Sequence, residues 1–146
     1  MNRIVIATDG SEGAWAAVQD GVELAYEVGA EVTFVTVRHD LPLFGQPHYQ
    51  EHLTRQLEQA RAALDRAEAE ADHRGVLHES EIVEGDPASK IAEIARTWNA
   101  DLLVVGSRGH GGLASALIGS VSRALLTRSP APVMIVREPT HAHTAA

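Results

Sequence analysis

A run of glycines and serines carries the first chemical suggestion in this chain. Gly106, Gly109, Gly111 and Gly112 follow the apolar stretch Leu102 to Val105, and Gly119-Ser120 precede a helix-like stretch. Glycine accepts positive φ and lets a ligand approach the backbone closely. Successive N–H groups then form an anion-binding nest. Free N–H groups and the helix dipole favour a phosphate at a helix start such as Gly119-Ser120. Ser120 and Ser122 add hydroxyls, and Arg108 and Arg123 are the cations nearest in sequence. The same glycines also suit a plain strand-to-helix connection, so both readings stay open at this level. Two common phosphate motifs do not fit. G-x-x-x-x-G-K-[ST] needs a lysine after its second glycine, and Lys90 is the only lysine. G-x-G-x-x-G is absent from the first turn, which reads DGSEGA. The spacing present is Gly106-x2-Gly109-x9-Gly119-Ser120.

Asp9 closes the first apolar run. An aspartate there caps the following helix or faces a ligand or its cation. A phosphoacceptor receiver domain would need an acidic pair at this point, an aspartate after the third strand and a lysine after the fifth. Here Asp9 precedes Gly10, the third strand leads to Glu84-Gly85-Asp86, and the last ends in Arg137. His48-Tyr49-Gln50-Glu51-His52 reads H-x-x-E-H, an inverted zinc-protease pattern. Histidines at i and i+4 share a helix face, but no further acid stands out as a ligand, and the segment suits a solvated helix start. His141 and His143 lie in the polar tail.

Periodicity supplies the elements that must position these groups. Arg3 to Thr8, Glu31 to Arg38, His78 to Val83, Asp101 to Val105 and Ala131 to Arg137 read as strands. Helical spacing runs over residues 13–28, about 48–73, from Pro87 to about Trp98, and about 118–128. In the longest helix Leu53, Leu57, Ala60, Leu64 and Ala67 form the expected apolar stripe. Gly29 and Gly75 stop helices, and Pro87 starts one. Strict β-α alternation with apolar strands implies an α/β, doubly wound, five-stranded parallel sheet with helices on both faces. The order expected is 3-2-1-4-5. Ligands in such sheets sit beyond the strand C-termini where the order reverses. That rule singles out Thr8 to Gly13, Arg38 to Pro47 and Gly106 to Ser122.

Composition limits the partners. The chain has 146 residues, a length that suits one domain over 1–138 with a polar, flexible tail at 139–146. It contains 45% hydrophobic residues, which argues against disorder. With 20 acids against 12 bases the net charge is −8, a poor match for nucleic acid. There is no cysteine, which excludes disulfides, thiol catalysis and Cys-based metal sites. The first strand starts within three residues of Met1 and no long apolar run follows. The expectation is therefore a cytoplasmic protein without signal peptide or membrane span. The apolar last strand, Val133, Met134, Ile135 and Val136, would leave a bare sheet edge.

Three separated segments together resemble the universal stress proteins: IVIATDGSEGAWAAV at the start, GDPASKIAEIA in the middle, and ADLLVVGSRGHGGLASALIGSVSRALLTRSPAPVMIVR. The glycine spacing matches G-x2-G-x9-G-(S/T) of the family's ATP-binding branch. That resemblance implies an ATP-binding stress-response sensor or adaptor, with Mg2+ accompanying the nucleotide. It places Ala7, Thr8 and Val37 against the adenine, and Asp9 near the ribose or the metal. Gly106 and Gly109 would admit ribose and phosphate. Gly119, Ser120, Val121 and Ser122 would donate N–H and hydroxyl groups to the phosphates, with Arg108 alongside. It also implies a homodimer through residues 133–136. No residue is assigned to catalysis; weak hydrolysis or autophosphorylation on Ser120 or Ser122 is an alternative. A dimeric interaction module without nucleotide is another, and no downstream protein partner is indicated.

Overall fold

The β-branched runs at both ends of the chain and in its middle form one parallel sheet. A computed structural model describes residues 1–39, 45, 47–107 and 118–138. Its elements in chain order are β1 (Arg3–Ala7), α1 (Glu12–Val28), β2 (Glu31–Arg38), α2 (Tyr49–Arg74) and β3 (His78–Glu84). They continue as α3 (Pro87–Thr97), β4 (Leu102–Gly106), α4 (Ser120–Arg128) and β5 (Val133–Val136). The strand order is β3-β2-β1-β4-β5, with every pairing parallel. This is the doubly wound α/β sheet that the alternation implies.

Strand side chains alternate between two cores. Ile4, Ile6, Val32 and Phe34 pack beneath α1 and α2 with Val18, Val22 and Leu64. Val5, Val35 and Leu103 pack on the opposite face with Ile91, Ile94 and Leu125 of α3 and α4. Local signals set the helix ends. The Ser11 hydroxyl accepts from the Ala14 N–H at 3.2 Å, and Asp86 accepts from the Ser89 N–H at 3.0 Å. Gly29 and Gly75 end α1 and α2 at φ 73° and 72°, the left-handed region that favours glycine. Trp15 lies under the Arg66 guanidinium, and Trp98 donates to Glu81 at 2.7 Å beside Arg3. Both indoles thus pack at helix edges.

Two expectations need correction. Leu57 is 40% exposed, and the buried stripe of α2 is Ala60, Ala63, Leu64, Ala67 and Ala71. The cause is length. Twenty-six residues at 1.5 Å rise make a helix of about 39 Å. The eight residues of β2 span only about 26 Å. The first turns of α2 therefore overhang the sheet. The last helix begins at Ser120 rather than Ile118, because Gly119 is extended at φ −65° and ψ 163°, with its N–H bonded to the Ser107 carbonyl at 2.6 Å. Its preceding residue, Ile118, is 38% exposed. The two sheet edges differ: β3 carries Glu79, Glu81 and Glu84, whereas β5 offers partly buried Val133, Met134 and Ile135.

Candidate functional site

The crossover from β1 to β2 and that from β4 to β5 leave β1 and β4 in opposite directions. Their C-terminal ends open the crevice expected at such a switch point. On the β1 side the chain turns sharply. The Thr8 N–H still donates to the Val35 carbonyl at 2.9 Å. Thr8 Oγ1 then accepts from the Gly10 N–H at 3.2 Å, and Asp9 Oδ1 accepts from the Ser11 N–H at 2.9 Å. Gly10 sits at φ 84°, where a side chain would be strained. Asp9 stays exposed at the lip, while Thr8 is buried below it.

On the β4 side a set of short bonds ties the ends of the glycine segment together. The Ser107 N–H donates to the Val136 carbonyl at 2.8 Å, and the Gly119 N–H donates to Ser107. The Ser122 hydroxyl, itself buried, donates to the Gly106 carbonyl at 2.5 Å. A Cβ on Gly106 would lie 2.6 Å from the Gly13 carbonyl oxygen. Gly106 thus lets the end of β4 meet the first turn of α1.

Between these walls lies a cleft of about 580 Å3, within the size range of small-molecule sites. Of the residues singled out in the sequence, Ala7, Thr8, Asp9 and Val37 line it on the β1 and β2 side. Gly106, Gly119, Ser120, Val121 and Ser122 line it on the other. Arg108 and Gly109 lie outside the described residues, as do His110, Gly111 and Gly112.

The donors differ from expectation in three respects. Neither Gly106 nor Gly119 takes positive φ; Gly119 is the N-cap of α4 at φ −65°. The Gly119 N–H and the Ser122 hydroxyl are already committed to carbonyls of this chain. The groups left to face the cleft are the N–H groups of Ser120, Val121 and Ser122 and the Ser120 hydroxyl. Those N–H groups precede the first bond of the helix ladder, from the Arg123 N–H to the Gly119 carbonyl. No side chain caps this helix.

Several cleft residues gave no motif in the sequence. Gln56, Gln59 and Ala60 descend from the overhanging start of α2, and Pro87 and Ile91 come from α3. Arg38 and His39 close the rim. The only available signal was a polar pair, Gln56 and Gln59, at helical spacing among charges. Arg38 is paired with Glu84 across β2 and β3. Asp86, near that rim, is held below the usual carboxylate range by the Ser89 hydroxyl, then by the Ser89 N–H, with Arg128 and His39 adding a smaller pull. Asp9 is the one acid among the described lining residues. No cluster of three or more metal-ligating side chains forms among the described residues. The H-x-x-E-H segment is solvated as expected: His48 pairs with Glu51 at 3.1 Å, both well exposed. No helix among the described residues is long and apolar enough to cross a membrane.

Known proteins share this architecture and resemble the chain in sequence. The family model described as "Universal stress protein family" matches residues 1–137. Universal stress protein MJ0531 of Methanocaldococcus jannaschii is 35% identical over 140 residues, covering 94% of this chain and 82% of that protein. The solved structure of the hypothetical protein MJ0577 superposes with a TM-score of 0.82 at 26% identity, covering 95% of this chain and 97% of its own. A universal stress protein crystallised in complex with cAMP gives 0.74 at 28% identity, covering 94% and 98%.

Proposed function

The chain belongs to the universal stress protein family, and on that footing we propose that its cleft binds an adenine nucleotide, ATP with Mg2+, as a stress-response sensor or adaptor. The observation that carries this reading is the first turn of α4, without a side-chain cap, opening into a cleft that apolar Ala7, Val37 and Ile91 also line. Unsatisfied N–H groups with a positive helix end suit phosphates. Ala7, Val37 and Ile91 offer an apolar slot for a base. The relative that binds cAMP supports the same ligand class.

In this reading the backbone of Ala7, Thr8 and Val37 borders the adenine, and Asp9 and Gly106 border the ribose. The N–H groups of Ser120, Val121 and Ser122 and the Ser120 hydroxyl hold the phosphates, with Arg108 and Gly109 completing the cradle. Gly119 contributes shape and the helix cap rather than its own N–H. Mg2+ would neutralise phosphate charge, with Asp9 as the protein carboxylate beside it; such ions are held mainly through substrate phosphates and one or two carboxylates. The β5 edge of the sheet pairs two copies into a homodimer that works in the cytoplasm.

Gly119→Asp tests the proposal by titration calorimetry with Mg-ATP. Aspartate is a favoured N-cap and takes this φ without strain, and circular dichroism of the variant verifies the fold. Its carboxylate adds like charge where the phosphates sit. Wild-type protein binds, and the variant loses at least about tenfold in affinity, about 1.4 kcal/mol. No uptake by the wild type, or equal binding by both, overturns the proposal.

A further inference from the structure

Resting on that reading of the cleft, we infer that Gln56 is its base-reading residue and that it selects a purine carrying an exocyclic amine. Gln56 belongs to the cleft wall, as do Ala7, Val37 and Ile91 of the apolar slot and Arg38 and His39 of the rim. Its amide oxygen has almost no exposure to solvent and no hydrogen-bond donor among the described residues. An unsatisfied buried acceptor is destabilising, so such a group calls for a partner that completes it. The described residues offer none to this oxygen, whereas a ligand in the cleft supplies one once the amide turns toward it.

Chemistry specifies which ligand group. A carboxamide presents an acceptor and a donor side by side. Adenine presents the complement, its 6-amino donor next to the ring acceptor N7, the pairing by which Gln and Asn read adenine elsewhere. The terminal torsion of glutamine is broad and roughly two-fold. Turning the oxygen toward the base breaks no hydrogen bond that the oxygen now makes. Gln59 stands three residues on, on the same helix face, and lines the same cleft. On that edge a 6-oxo purine offers only acceptors, O6 and N7, so the carboxamide oxygen is left facing an acceptor whichever way the amide turns.

The test compares ATP with ITP, which differ at that position, on purified full-length protein by calorimetry. Wild type prefers ATP by about tenfold, the effect of one hydrogen bond gained against an acceptor left unpaired. In Gln56→Leu the ATP:ITP ratio falls at least fivefold, and Gln56→Ala, which removes any packing artefact of leucine, gives the same collapse. Circular dichroism of each variant verifies the fold. A ratio that survives both substitutions while ATP still binds overturns this inference and leaves the nucleotide reading standing. If wild type binds neither nucleotide, the nucleotide reading itself falls and this inference with it.

Discussion

Gly106→Ala separates a glycine kept for packing from one kept for a ligand. The added Cβ would sit 2.6 Å from the Gly13 carbonyl oxygen, 2.8 Å from the Gly13 carbonyl carbon and 3.1 Å from the Ala14 nitrogen. Ordinary contact begins near 3.4 Å, and all three neighbours are backbone. No rotamer change relieves the overlap; α1 must move off the end of β4. Overpacking of this kind costs roughly 1–3 kcal/mol, and backbone obstacles place it at the upper end. The lower unfolded-state entropy of alanine returns about 0.4–1 kcal/mol. The net loss is about 2 kcal/mol, which lowers Tm by about 4–8 °C for a chain of this size. The assay is thermal denaturation of nucleotide-stripped protein, wild type against variant, at one fixed protein concentration, because assembly and ligand both shift Tm. An unchanged Tm accompanied by weaker ATP binding would refute the packing argument and return Gly106 to a purely ligand-facing role.

Two further outcomes follow from the same geometry. Ser122→Ala removes the buried bond to the Gly106 carbonyl and costs about 1 kcal/mol of stability, while ATP affinity measured by calorimetry changes less than threefold; a larger drop would mean that the hydroxyl serves the phosphates. Asp101 accepts from the Asn2 and Arg3 N–H groups, and these bonds hold its carboxyl below the usual carboxylate range. A depressed folded-state value stabilises the protein above the unfolded value of about 3.9 and ceases to do so as pH falls through the folded one. Asp101→Asn should therefore melt below wild type at pH 7, with the gap narrowing as pH falls below the unfolded value of about 3.9; a gap that stays constant as the medium is acidified would refute the linkage.

Much of the fold was legible because the relevant signals are local. β-branched runs, capping residues and glycine stops act within a few residues, and the observed elements begin and end close to the expected ones. The misjudged start of α4 lies at Gly119, which is extended and bonded through its N–H to Ser107, twelve residues earlier. Leu57 fits the helical stripe by spacing, yet the sheet beneath it has ended. Periodicity identifies a helix face but carries no information on how far the covering layer extends.

The candidate site divides along the same line. By itself the sequence determined the alternation of elements, hence the parallel sheet and the crevice at its switch point, because chain connectivity and strand twist leave few alternatives. It also determined which glycines and serines flank that crevice, since they follow β4 directly in the chain. Only the tertiary structure decided which donors remain available. The Ser122 hydroxyl and the Gly119 N–H are consumed by carbonyls brought close through the packing of β4, β5 and α4. Gln56 enters the cleft because α2 is longer than the strand it covers. Hydrogen bonding is saturable and directional, so whether a polar group serves the fold or a ligand depends on neighbours that sequence spacing does not specify.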